Sequence, residues 1–431
     1  MNKMNFPEHW DVIKLSNPQL FSFENGIWKG KKGPFEECAV VRNTNFTSDG
    51  YLDLTDVAVL PIEQRHLTKK KLKWGDIIIE RSGGGPEQPV GRVVFFDLND
   101  GTYCFSNFTS RLRVIDKKTI CPTYLFFYLL HFHASGQTRK LQKRTTGIRN
   151  LIFGDYKESR ILLPPLPEQR AIAHVLQTIQ EAKFTRQSEI ALERERKAAL
   201  MDVLFSHGTT GEPRKQTEIG EIPESWETTR LAEAVTFTKK PRNLRYSEYD
   251  KIPFVPMELI PIAKLFSQEF ILKTNDELKS GTYFEPGDIL LPKITPSFEN
   301  GKQCIIKELP TPFGIATTEV IPIREVKGVS DISYLFYYLL LPNVRISLAG
   351  KMQGTTGRQR LSKNVLVNLQ IPLPPLPEQR AITAVFRSID GKIAALEREV
   401  EHLDELFHAM LDELMTGQRS AVPLIDTEMD V

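Results

Sequence analysis

Cysteine is scarce in this chain: Cys38, Cys104, Cys121 and Cys304 are all that 431 residues contain, with no CxxC pair and no Cys/His ligand spacing. Neither a disulfide framework nor a zinc site is indicated, and reduced thiols in a cytoplasm are the expectation. No segment stays apolar for the roughly 20 residues of a membrane span. The best run, 124–130, is closed by His131 and His133, and the first residues lack a signal-peptide core. Catalytic signatures are missing too: no Walker A loop, no HExxH, no GxSxG, and no NPPY or DPPY tetrapeptide of the amino-methyltransferases. The triplet Gly83-Gly84-Gly85 has neither GxGxxG spacing nor a following helix, so it reads as a flexible loop rather than a nucleotide cradle.

What the chain does have is a duplication. LPPLPEQRAI starts at Leu163 and again at Leu373, 210 residues later. The same offset aligns Thr145-Thr146-Gly147 with Thr355-Thr356-Gly357, and Tyr124-Leu125-Phe126 with Tyr334-Leu335-Phe336. Gly75-Asp76 and Gly287-Asp288, then Pro7-Glu8 and Pro223-Glu224, extend the frame with small length changes. Between these landmarks the residues scarcely agree. Arg81-Ser82-Gly83-Gly84-Gly85 in one copy faces Lys293-Ile294-Thr295-Pro296-Ser297 in the other. One scaffold with different contents implies two readers with two targets. Neither copy repeats a carboxylate-lysine cluster of the kind a nuclease needs, so the chain reads as one that binds and does not catalyse.

Each copy opens on a Pro-Glu-x-Trp turn (Pro7 to Trp10, Pro223 to Trp226) and continues through short segments rich in Val, Ile, Phe and Thr, which predicts mixed, strand-heavy structure. Residues 77–79 and 92–96 read as two strands joined by a long turn, and 121–133 and 330–341 as helices with a core-facing aromatic stripe. After each LPPLPEQR, Pro and Gly vanish for some 40 residues. Pro167 and Pro377 suit the first turn of a long helix, where a missing N–H costs nothing. The second such helix places Ile382, Phe386, Ile389, Ile393, Leu396, Val400, Leu403, Phe407, Met410 and Leu414 at 4-3-4-3 spacing, a coiled-coil seam. The first keeps that spacing at Ile172, Leu176, Ile179, Ile190, Leu200 and Leu204, but Lys183, Arg186, Glu193 and Lys197 interrupt it. The seams can pair with a second chain or, more economically, with each other if they run antiparallel. A helix of about 40 residues spans roughly 60 Å.

A net charge of +2 decides nothing about nucleic acid, because phosphate binding depends on where the cations sit. They cluster at 69–73, 139–144, 239–245 and 351–363, and two of these clusters flank the Thr-Thr-Gly landmarks at matched places. Arg81 and Lys293 follow the strand after the Gly-Asp landmark, and Arg92 and Lys302 each follow a glycine at the end of the same loop. Arg149, Arg358 and Arg360 follow the Thr-Thr-Gly landmarks. These seven are the candidate DNA contacts. Arginine or lysine serves guanine edges and phosphates alike, and phosphate contact is the safer expectation. No catalytic residue and no metal ligand is nominated.

Tandem divergent domains, each followed by a helix introduced by LPPLPEQR, resemble the specificity subunit of type I restriction-modification systems over essentially the whole chain. The resemblance implies an α+β fold: two strand-rich target recognition domains separated by a pair of long helices, which form an antiparallel intramolecular coiled coil with pseudo-twofold symmetry. It implies the divisions 1–160 (first recognition domain), 161–208 (first spacer helix), 209–221 (linker), 222–370 (second recognition domain), 371–417 (second spacer helix) and 418–431 (tail). The implied role is reading a bipartite, asymmetric target in double-stranded DNA. The implied partners are two copies of an adenine methyltransferase subunit, which would carry S-adenosylmethionine, and motor-nuclease subunits, which would use ATP and Mg. No cofactor is expected on this chain, and no membrane. Two other readings stay open at this stage: a self-associating DNA-binding regulator or scaffold, and a divergent methyltransferase or nuclease.

Overall fold

The computed structural model describes residues 6–27, 33–85, 88–145, 148–355 and 357–427. The chain forms two compact units, Met1–Gln187 with Arg398–Val431, and Ser188–Glu397. The division between the units falls within the segments 161–208 and 371–417. Each long helix, Leu166–His207 or Leu376–Met415, contributes one half to each unit, because its apolar stripe is buried in that unit's core.

In the first unit a four-stranded antiparallel sheet has the order Phe21–Asn25, Thr109–Val114, Asp76–Glu80, Val93–Phe96. The pairing of Asp76–Glu80 with Val93–Phe96 joins the two strands expected at 77–79 and 92–96. A mixed sheet of Ala58–Glu63, Phe35–Val41 and Tyr103–Phe105 packs beside it, and Asp11–Lys14 pairs with Arg160–Leu163 to tie the two ends of the domain. The second unit repeats the plan. Val235–Phe237, Val320–Glu325, Ile289–Pro292, Cys304–Ile306 and Phe266–Ser267 form one sheet, and Ile271–Lys273, Ile252–Val255, Gly314–Ala316 and Thr282–Phe284 the other; Glu227–Arg230 pairs with Gln370–Leu373. The aromatic helix is Pro122–Ala134 in the first unit. Its counterpart stops at Tyr338 and turns by 71° into Pro342–Ala349. Pro342 forces this break, since the residue before a proline is driven to extended backbone and Leu341 sits at φ −55°, ψ 131°. Among the described residues no single helix is long and apolar enough to cross a membrane.

The duplicated landmarks form a buried polar frame, made the same way twice. The motif glutamate accepts the indole N–H of the opening turn: Trp10 to Glu168 at 3.1 Å, Trp226 to Glu378 at 2.9 Å. The motif glutamine takes a backbone N–H (Cys121, Asp331) on its oxygen, and its amide donates to Thr119 and Pro164, or to Val329 and Pro374. Tyr124 donates to the Leu162 carbonyl and Tyr334 to that of Pro372, both at 2.9 Å. The Gly-Asp aspartates are clasped by Arg113 and Arg324. Buried polar groups require partners, so these residues serve the fold rather than a ligand. Each long helix also exits against the opening turn of a unit: a side chain on Gly208 would collide with the Glu378 carboxylate, crowd Trp226 and touch Pro223, and one on Gly417 would collide with Pro7.

The helix halves pair antiparallel inside each unit, which settles the choice left open by the seams in favour of pairing within the chain. In the first unit Lys183 meets Asp404 and Arg186 meets Glu399; in the second, Glu193 meets Lys392, Arg194 meets Glu397 and Lys197 meets Asp390. The polar interruptions of the first seam thus face opposite charges. The apolar positions lie in the cores: Ile172, Leu176, Ile179, Phe407 and Leu414 in one, Ile382, Phe386 and Ile389 in the other, with Leu200, Leu204 and Ile393 packed against the latter. Val400, Leu403 and Met410 are half-buried, and Ile190 and Leu396 are buried. The Lys183 ammonium, bonded to Asp404, holds that carboxyl below the ordinary aspartate value. A carboxyl depressed on folding stabilises the native state fully above its unfolded value, near pH 4, and the contribution is lost as pH falls through the lower folded value. Asp404→Asn is therefore expected to lower the urea midpoint at neutral pH, with the difference from wild type closing in acid. A pH-independent difference would remove the ion pair as its cause.

Candidate nucleic-acid interface

The divergent residues emerge from the ends of these shared strands. In the first unit the buried strand Asp76–Glu80 delivers residues 81–85. Arg81 N–H donates to the Phe108 carbonyl at 2.8 Å, and Asn43 donates to both Glu80 and the Ser82 carbonyl. The short strand Ser82–Gly84 then joins the hairpin Gln142–Thr145/Ile148–Leu151, with Arg149 opposite Gly84. A Cβ on Gly84 would sit 2.6 Å from the Gln88 carbonyl oxygen, so glycine there answers to the protein's own backbone. Of the Thr-Thr-Gly landmark, Thr145 ends the first strand of this hairpin. Its Thr146 and Gly147, like Thr356 of the second copy, lie outside the described residues.

In the second unit Ile289–Pro292 delivers residues 293–302, and the hairpin Gln353–Thr355/Arg358–Arg360 docks on them. Leu361 N–H donates to the Lys293 carbonyl at 2.7 Å, and Thr295 N–H to that of Gln359 at 3.1 Å. Arg360 makes a forked contact with Glu319, at 2.7 and 3.0 Å. The bond from Arg360, with the positive fields of Arg360, Lys293 and Arg358, holds the Glu319 carboxyl below its usual range. Lys363 lies over the Phe237 ring at 4.2 Å, and its partial burial, with the charge of nearby Lys239, lowers its pKa. Two sequence-separated basic clusters therefore meet.

The seven candidates divide into two groups. Arg149, Lys293 and Arg358 carry cations with no hydrogen-bonded or ion-paired protein acceptor among the described residues, and Arg358 is exposed. The other four are bonded to partners within the protein. Arg81 donates to Asn25 at 2.6 Å and lies over the Phe153 ring, with burial pushing its pKa down. Arg92 brackets the carboxylate of Glu80, a residue only 1% exposed, and also donates to the carbonyls of Asn43 and Phe46. Lys302 donates to the Met257 carbonyl at 2.8 Å, and Arg360 holds Glu319. Arg92 spends four of its five donors on acceptors of the fold and Lys302 one of its three, so both brace the loops they close.

Sequence reasoning missed Asn43 and Glu319, which anchor the divergent loops, and Arg345. The Arg345 guanidinium lies buried beneath residues 293–302, donates to Phe298 and Gln303, and has its pKa pushed down to about 9 by burial. No local pattern marks it, since Pro342–Ala349 reads as an ordinary amphipathic turn. Among the described residues no group of three or more His, Cys, Asp or Glu side chains is arranged to hold a metal ion. The chemistry on offer is cationic and hydrogen-bonding: exposed Arg and Lys at hairpins and loops that differ between two equal frames.

Comparison with known proteins gives the same reading. Residues 5–194 and 223–404 match the model of the type I restriction modification DNA specificity domain. The chain is 27% identical over 423 residues to the specificity subunit assigned to the type I restriction enzyme MjaX of Methanocaldococcus jannaschii, covering 96% of this chain and 94% of that one. It is 33% identical over 199 residues to the EcoAI specificity subunit of Escherichia coli, covering 46% of this chain and 33% of that one. The crystal structure of the type I restriction-modification S subunit from M. genitalium superposes with a TM-score of 0.55 at 15% identity, over 95% of this chain and 96% of that one, a likeness of fold.

Proposed function

The chain belongs to the type I restriction modification DNA specificity family, and from that premise we propose that it reads a split, asymmetric DNA target, one part per unit, for a methyltransferase partner. The observation that carries this reading is the contrast between frame and loops. The Glu-Trp, Gln and Tyr contacts are the same in both units, while the segments at 81–85 and 293–302 and their docking hairpins differ. Different contact surfaces on equal supports read different bases, so the two parts of the target differ in sequence. Arg149, Lys293 and Arg358 supply phosphate contacts, and the loops beside them face the base edges. Self-association through the seams loses its support, because these seams are occupied within the chain.

The partner subunits dock on the long helices, the first of which leaves Phe184 69% and Leu192 64% exposed. Two copies of an adenine methyltransferase subunit would bring S-adenosylmethionine, and motor-nuclease subunits would bring ATP and Mg. The test is to assemble the chain with its methyltransferase partner and map methylated adenines on random DNA. One split motif is expected, and exchange of residues 6–160 for those of a relative should change only one part of it. Methylation without a split motif defeats the proposal. In the same complex, Arg358→Ala should weaken binding about equally on all sequences and reduce the salt dependence by about one unit of slope. A loss confined to one base position would move Arg358 from phosphate to base contact.

A further inference from the structure

Two of the scarce cysteines come together. Cys38 lies in Phe35–Val41 and Cys104 in the parallel neighbour Tyr103–Phe105, where Val40 pairs with Cys104. Their Sγ atoms are 2.8 Å apart, both buried, in a small apolar cluster with Ile27, Val40, Ile62 and Leu67. We propose that Cys38 and Cys104 are a reversible dithiol–disulfide couple, exchanged by a low-molecular-weight disulfide such as oxidised glutathione, whose state sets the mobility of residues 81–85. That the couple thereby tunes DNA reading rests on the function proposed for that loop.

The geometry asks little of the backbone. An S–S bond of about 2.05 Å requires the sulfurs to close by less than about 1 Å, which side-chain rotation supplies without separating the strands. A surface cavity of about 320 Å³ borders the cluster, lined in part by Ile27, Val40 and Ile62 on one side and Asn43, Ser106 and Phe108 on the other; neither sulfur lines it, so exchange proceeds through local opening of the cluster beside the cavity. In the exchange, Cys38 loses its proton to solvent and attacks one sulfur of oxidised glutathione. That S–S bond breaks and one glutathione leaves as thiolate. Cys104, deprotonated in turn, attacks Sγ of Cys38 and releases the second glutathione. Two protein thiols have then lost two electrons and two protons, and one glutathione disulfide has become two thiols. The order follows from the hydrogen bond between the sulfurs, which lowers the Cys38 thiol pKa and raises that of Cys104.

The two bonded strands are the supports of the loop. Phe35–Val41 runs into Asn43, which donates to Glu80 and the Ser82 carbonyl; Tyr103–Phe105 runs into Phe108, whose carbonyl accepts from Arg81 and Ser82. A bond between the strands fixes one support against the other. Cys304 is the one cysteine among residues 188–397, so this control acts on the first unit alone.

The test exposes the full chain, in its native state, to oxidised glutathione, then quenches with acid, unfolds, alkylates and maps peptides by mass. A linked Cys38–Cys104 peptide is expected, with Cys121 and Cys304 free of the linkage and both thiols restored by reduced glutathione. Cys38→Ser, and separately Cys104→Ala, should leave the remaining partner alkylatable. Absence of the linked peptide after prolonged exposure, or a linkage through Cys121, overturns the couple. Hydrogen exchange at residues 81–85 should slow by at least about tenfold on oxidation. Unchanged exchange in the linked chain overturns its control of the loop. Neither measurement uses DNA, so a failure of the proposed function would leave both results standing.

Discussion

Phe386→Ala is expected to cost the second unit about 3–5 kcal/mol of stability. Phe386 is fully buried, stacked on Phe205 with centroids 5.9 Å apart and 7° between the rings, and packed on Tyr337 at 5.0 Å. These contacts bring both long helices and the aromatic helix onto one side chain, so the cavity left by truncation cannot collapse without moving a helix. Each 1.4 kcal/mol is tenfold in an equilibrium, so exchange protection of the core amides in Ile289–Pro292 should fall by about two to three and a half orders of magnitude. The exposed Leu192 on the other long helix, also in the second unit, provides the contrast, and its replacement by alanine should leave protection nearly unchanged. Equal effects at the two positions would mean that Phe386 does not join the helices to the core.

Arg92→Met is the second large effect, expected at about 3–5 kcal/mol because it strands the buried carboxylate of Glu80. Asn43 still donates to Glu80 at 3.2 Å, but one amide does not balance a desolvated charge. Urea unfolding checks the loss. Replacing both partners by methionine should recover much of it, since an apolar pair carries no orphaned charge. With folding restored by excess stability or lower temperature, the salt dependence of DNA binding should match wild type. A fall of about one unit of slope without loss of stability would return Arg92 to the phosphate contacts.

The frame was legible because it was written twice. LPPLPEQR announced a helix start and the heptads announced a seam, both local patterns of a kind that backbone geometry imposes. The roles of the motif residues were not legible. Glu168 waits on Trp10 and Gln169 on Cys121, contacts made across some 158 and 48 positions of chain. The polar seam residues stood out as interruptions, yet Lys183 finds Asp404 221 positions away, and only the pairing register of the folded helices identifies that partner. Candidate contacts were half legible. Position after a matched strand, a loop glycine or the Thr-Thr-Gly landmark nominated all seven cations alike, because a cation that braces a loop and one without a protein acceptor look the same in sequence. Arg345 left no trace, since its significance lies in burial beneath another segment.

Gly208 against Pro223, and Gly417 against Pro7, are the same joint made twice. At the first joint the chain continues directly through residues 209–221; at the second, packing alone brings 417 to 7. Covalent succession is thus not what seats either helix exit. A permuted gene, opened within 209–221 and linked between the tail and the first turn, would encode the same buried contacts in a new order, and the two modules would trade first and second place.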